Sequence, residues 1–202
     1  MSNDDQSKKS SEQYASSEEM WRGPCYELSI MLGRSSDVRL EAAWRTLRQH
    51  PTFEVWSNDM DEAWYIDMIP KALRPTERST EGAYGVARLP NGDRAACTGG
   101  SLTLDREHGY DEPHDELALC IRQYSLPAST PVEMIYAWLA DIGRFVFSRV
   151  PHEWAMIGDE LDSVDAPQSL DSFRDSERRF GLLVPSDNGL LWYPPNTDLW
   201  RF

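Results

Sequence analysis

Two histidines and four carboxylates fall within nine residues, in His108-Gly-Tyr-Asp111-Glu112-Pro-His114-Asp115-Glu116. Imidazole with carboxylate suits zinc or manganese, so His108, Asp111 and His114 are the residues a small metal-dependent hydrolase would use. Their spacing matches no ligand set that element geometry explains, and a solvated acidic loop accounts for the same residues. Cys25, Cys97 and Cys120 make an odd count with no CxxC spacing. They read as buried, reduced thiols of an intracellular protein, not as a disulfide framework or a zinc site. A nucleophile needs an oriented base beside it, and no Gly-x-Ser-x-Gly elbow is present. Gly99-Gly100-Ser101 lacks the following glycine and falls inside an expected strand. Lys8, Lys9 and Lys71 are the only lysines, so lysine chemistry in the folded part has the single candidate Lys71. No glycine-rich loop leads into a helix carrying a lysine, which removes a phosphate cradle. These residues point to no catalytic side chain, no metal and no cofactor.

Charge narrows the field further. Against 20 bases stand 34 acids, a net charge of -14. Phosphate backbones would be repelled, so direct nucleic-acid binding is disfavoured, whereas a basic protein partner would be attracted. Trp56, Trp64, Tyr65, Trp192 and Tyr193 offer stacking surfaces, but without a basic groove they suit a core or a protein interface better. The stretch 1–20 is rich in Ser, Asp and Glu and lacks the apolar core of a secretory signal. It reads as a disordered tail ahead of one α+β domain over 21–202. No run approaches the roughly 18 apolar residues of a membrane span. The expectation is a soluble, cytoplasmic protein.

The elements that must position these residues follow from period and punctuation. Tyr26, Leu28, Ile30 and Leu32 alternate with Glu27, Ser29 and Met31 as in a half-buried strand ending at Gly33. Ser35 or Ser36 can cap a helix over 37–49, whose stripe is Leu40, Ala43, Trp44 and Leu47. His50-Pro51 stops it, and Phe53–Trp56 resumes alternation. Residues 59–73 fit neither period and read as a short helix or an ordered loop. Pro90-Asn91-Gly92-Asp93 marks a hairpin, with a return strand over 94–104 that Gly99-Gly100 should bulge or break. A second strand–helix–strand unit follows: a strand over 116–124, a helix over 131–149 with Trp138, and a strand over 154–158. Thr130-Pro131-Val132-Glu133 matches a capping box with proline at the first helical position. An acidic stretch over 159–177 leads to a last hairpin across Asp187-Asn188-Gly189. The result is an α+β fold, a mixed, mainly antiparallel sheet with both amphipathic helices on one face. The two β–α–β units are candidate pseudo-duplicated halves.

Trp44, Trp138, Trp154 and Trp192 read as core, whereas Trp56, Trp64 and Trp200 are free to anchor a protein interface. In this order of parts the chain resembles bacterial polymorphic-toxin immunity proteins, the α+β group paired with restriction-endonuclease-like toxins. The resemblance lies in the strand Tyr26–Gly33 with its helix, the Cys-containing strand Leu117–Ile121, the long helix, His152-Glu-Trp154-Ala-Met-Ile157 and the hairpin strand Phe180–Val184. It implies a non-enzymatic inhibitor that binds one toxin domain and blocks its active site or substrate surface. A nuclease toxin is basic where it grips its substrate, and an acidic inhibitor would be steered there. The expected protein-binding residues are Trp56, Asp59, Asp61, Glu62, Trp64, Asp111, Glu112, Asp159, Glu160 and Asp162. A structural or adaptor role, resting on exposed tryptophans, and the metal-dependent hydrolase are the competing readings.

Overall fold

The computed structural model describes residues 18–21, 23–56, 83–161 and 178–197. Eight strands form one sheet in the order β2-β3-β4-β5-β1-β6-β7-β8. They are β1 (Cys25–Arg34), β2 (Phe53–Trp56), β3 (Ala83–Arg88), β4 (Arg94–Leu104), β5 (His114–Arg122), β6 (Trp154–Asp159), β7 (Gly181–Ser186) and β8 (Gly189–Tyr193). Every neighbouring pair is antiparallel. Helices α1 (Asp37–Arg48) and α2 (Val132–Phe147) share one face, so the chain has the expected α+β arrangement.

The two β–α–β units are joined differently. The β1–α1–β2 connection passes across β5, β4 and β3, whereas β5–α2–β6 passes across β1 alone. The echo between them is one of element order, and the sheet does not repeat it.

The main core lies between the helices and the sheet. Leu28, Ile30 and Leu32 of β1, Leu117, Leu119 and Ile121 of β5, and Ala155 and Ile157 of β6 meet Trp44, Leu47, Ile135, Trp138, Leu139 and Ile142. All of these sit on one side because side chains alternate along a strand and recur every third or fourth residue on a helix. Trp138 Nε1 donates to Thr52 Oγ1 at 3.0 Å, so its indole is paired as well as buried. The reverse face carries two smaller clusters: Met31, Leu104, Trp154, Met156, Leu182 and Val184 near β7, and Trp21, Val55, Val86 and Ala96 near β2.

Local signals were met in varying degree. Ser36 caps α1 as expected, its Oγ accepting from Arg39 N at 3.5 Å. At α2 the capping box does not form: Pro131 is itself the cap residue, with extended backbone and no side-chain cap bond. The helix starts one residue later than its sequence suggests, which leaves Thr130 too far back to reach the first amides. Gly99-Gly100 neither bulges nor breaks β4, whose pairing with β3 and β5 keeps one register throughout. Gly99 is there for close approach, since a Cβ would lie 2.6 Å from the Trp44 ring. Both hairpin turns form, with Gly92 and Gly189 carrying the positive φ.

Candidate functional site

Residues 105–113 hold the expected acidic loop against the end of β1. Asp105 caps a single 3-10 turn, Arg106–His108, its Oδ1 accepting from Glu107 N at 2.9 Å and lying 3.1 Å from His108 Nδ1. The Glu107 amide first, then His108, hold the Asp105 carboxyl below its usual value. His114 Nδ1 donates instead to the Glu112 carbonyl at 2.8 Å, with Tyr110 lying on its ring. The two imidazoles are thus engaged separately. The donor atoms of His108, Asp111 and His114 do not converge as a metal set would require. Asp111 and Glu112 are exposed, and Glu112 pairs with Arg34 at 2.5 Å.

Asp159 and Glu160 close β6 at the other end of β1, both exposed. Gln123 Nε2 donates to Asp159 Oδ1 at 2.6 Å, and Glu160 N donates to the Cys25 carbonyl at 3.0 Å. The Asp159 carboxyl is raised by burial first, then by the charges of Glu160 and Glu27. β1 pairs with Asp159 at Tyr26 and with His114 at Arg34, so the two acidic groups stand roughly 25 Å apart at 3.3 Å per residue. That is about the width of a standard protein interface of roughly 800 Å² per partner. They would form opposite rims of one surface, not one compact patch.

The other expected residues fare differently. Trp56 is only 1% exposed, packed edge-on to Trp44 and against Phe53. β2 turns its indole under α1, so it is a core residue and not the surface anchor its position suggested. Asp59, Asp61, Glu62, Trp64 and Asp162 lie outside the described residues, as do Lys71 and Trp200.

A polar stripe on the reverse face of β1 and β5 was missed by sequence reasoning. Cys25, Glu27 and Ser29 of β1 face the same side as Glu116, Ala118, Cys120 and Arg122 of β5. Ser29 Oγ donates to Glu116 Oε1, and the Glu116 carboxyl is raised chiefly by burial, with Glu27 adding to it. Both thiols donate to one oxygen of Glu27, Cys25 at 3.2 Å and Cys120 at 3.3 Å. The signal for this lay in strand register, which places Cys120 directly opposite Glu27. Cys97 is separate, on the helix side of β4 and fully buried, where burial pushes its thiol up. Beside α1 a depression of about 320 Å³ is lined by Glu41, Trp44, Arg45, Arg48 and Gln49, a set without a nucleophile.

No protein-family model matches the chain, and no curated protein or solved structure matches it either. Among the described residues no helix is long and apolar enough to cross a membrane.

Proposed function

We propose that this chain is a non-enzymatic immunity protein, a cytoplasmic inhibitor that binds and neutralises one cognate bacterial toxin domain. The observation that carries the reading is the net charge of -14 combined with exposed carboxylates at both ends of the central strand. A toxin that cuts nucleic acid must present a basic surface to its substrate, and these acidic rims would compete for that surface. Inhibition needs no chemistry from the inhibitor, which agrees with the separate engagement of His108 and His114.

The test pairs the chain with the toxin domain encoded immediately upstream of its gene. Co-expression should rescue growth of cells making that domain, and the purified proteins should bind in a salt-sensitive manner. Reversing Asp111, Glu112, Asp159 and Glu160 to lysine should slow association by about tenfold or more at low salt. Binding that survives this reversal unchanged at physiological salt would sink the acidic-surface mechanism. A metabolic operon in place of an upstream toxin gene would sink the function itself.

A further inference from the structure

The stripe on the reverse face contains a donor set that the inhibitor reading does not use. We propose that Cys25, Glu27 and Cys120 bind a thiophilic divalent cation of the zinc class, through two thiolates and one carboxylate, with water in the fourth position.

Geometry carries the inference. Among the described residues these side chains are the one set of three or more His, Cys, Asp or Glu whose ligand atoms all lie within 4.8 Å of one another. Around tetrahedral zinc, bonds of about 2.3 Å to sulfur and 2.1 Å to oxygen place sulfur roughly 3.6 Å from oxygen and 3.8 Å from sulfur. The thiols already stand 3.2 and 3.3 Å from Glu27 Oε1, so closing on an ion asks for side-chain shifts of well under an ångström on the oxygen side. The ligands sit on β1 and β5, adjacent strands in the middle of the sheet, with Glu27 paired directly to Cys120. Such a scaffold fixes the donors more firmly than a loop would.

Partnering argues the same way. The Glu27 carboxylate is met by two thiols, which are weak donors, and a half-buried anion is poorly served by them. Asp159 and Glu160 stand close enough to add to the negative field at this end of β1. Arg122, opposite Cys25, opposes it, and its charge is also felt by Tyr84. Without an ion, the neighbouring Cys25 thiol, burial and then Glu27 push the Cys120 thiol far up. Binding would release both thiol protons to solvent and leave the dication with two thiolates and one carboxylate, one negative charge in excess.

The inference is independent of the toxin partner and is read on the full chain alone. Reduced protein would be titrated with cobalt(II), whose thiolate charge-transfer band reports sulfur ligation, and the cobalt then displaced with zinc. One equivalent is expected, with the band lost and affinity lowered about 100-fold or more in Cys25→Ser and Cys120→Ser. That exceeds the 10–100-fold that loss of an outer partner costs. Glu27→Gln should keep the band and bind more weakly, and Cys97→Ala should bind as the parent does. Circular dichroism checks that each variant folds. In the parent chain, which needs no variant, one equivalent of zinc should protect two of the three thiols from alkylation. A parent chain showing no band, a band at full strength in both serine variants, or Cys25 and Cys120 as reactive with zinc as without it would overturn the proposal. It would leave a hydrogen-bonded thiol pair.

Discussion

Replacing Asp115 with alanine should destabilise the domain by about 3 kcal/mol, because one buried carboxylate ties three segments together. Asp115 is 1% exposed, the first fully buried position of β5. Its Oδ1 accepts from Ser35 Oγ at 2.7 Å and from Thr103 Oγ1 at 3.1 Å, and its Oδ2 accepts from Ser36 N at 2.7 Å. Those donors belong to the β1–α1 corner and the end of β4. Truncation leaves the Ser36 amide without an acceptor, which costs about 1–3 kcal/mol, while the hydroxyls can turn elsewhere at smaller cost. The space vacated adds about 1 kcal/mol. Bonds to a charged group are worth more than this in gross terms, but burying the anion offsets part of them. Asp115→Asn keeps the shape and one acceptor while turning donors toward donors, so a loss of about 1–2 kcal/mol is expected. Urea denaturation at neutral pH measures both, and the alanine variant should melt about 6–12 °C lower for a chain of this size. A loss under about 1 kcal/mol for alanine, or an asparagine variant as stable as the parent, would refute the reasoning. Either result would mean that the buried charge costs as much as its bonds return.

Four further perturbations probe the packing. His152 is held neutral by burial, its imidazole lowered to about 4, with the nearby backbone of Gly143 and Trp154 acting the other way. As pH falls below about 6.5 the unfolded chain takes up a proton that the folded chain refuses, so stability should drop by about 3 kcal/mol between pH 6.5 and 4. His152→Gln should flatten that part of the urea midpoint curve, and an unchanged slope would contradict it. Gly99→Ala should cost about 1–3 kcal/mol through the Trp44 ring. Gly92→Ala meets nothing within 4 Å but must hold φ near +90°, so about 1 kcal/mol is expected; a reversed order by thermal melting would be inconsistent with the packing. Trp56→Ala should lower stability by about 3–5 kcal/mol as a core truncation, and a variant as stable as the parent would return Trp56 to the surface.

The helix-side core was legible because it is written in period. Leu28-Ile30-Leu32 and Leu117-Leu119-Ile121 alternate, and the α1 and α2 stripes recur at helical spacing, so each set names its own buried face. Trp56 was misread because the same alternation assigns a face but not what covers it. Whether α1 or water meets the far end of β2 depends on a crossover spanning three strands. Gly99 was misread for a related reason. A glycine inside a strand signals either a bulge or a close approach, and only the position of Trp44 decides between them. Of the acidic surface, Asp111, Glu112, Asp159 and Glu160 are exposed as their polar surroundings suggested, but their separation along β1 has no trace in local sequence. The Cys25–Glu27–Cys120 set was invisible to motif spacing because its members come from strands whose pairing is fixed only by the sheet.

The contrast between the two faces of the sheet locates what is unusual about this chain. Against the helices β1 and β5 present Leu28, Ile30, Leu32, Leu117, Leu119 and Ile121, as a face committed to packing should. The opposite face of an antiparallel sheet is ordinarily polar and wet, yet here Ser29 is 5% exposed and the Glu116 carboxyl is raised chiefly by burial. Valine or threonine on the same strands would pack between the flanking apolar clusters without the desolvation that Glu27 and Glu116 undergo. A stripe of carboxylates and thiols that stability alone does not call for is the kind of departure from local consistency that accompanies a site. It runs along β1, the strand whose two ends carry the exposed acids, so a cation held at Cys25, Glu27 and Cys120 would brace β1 against β5 beside the Asp159–Glu160 rim. Loss of metal would then loosen one rim of the acidic surface and leave the Asp111–Glu112 rim in place.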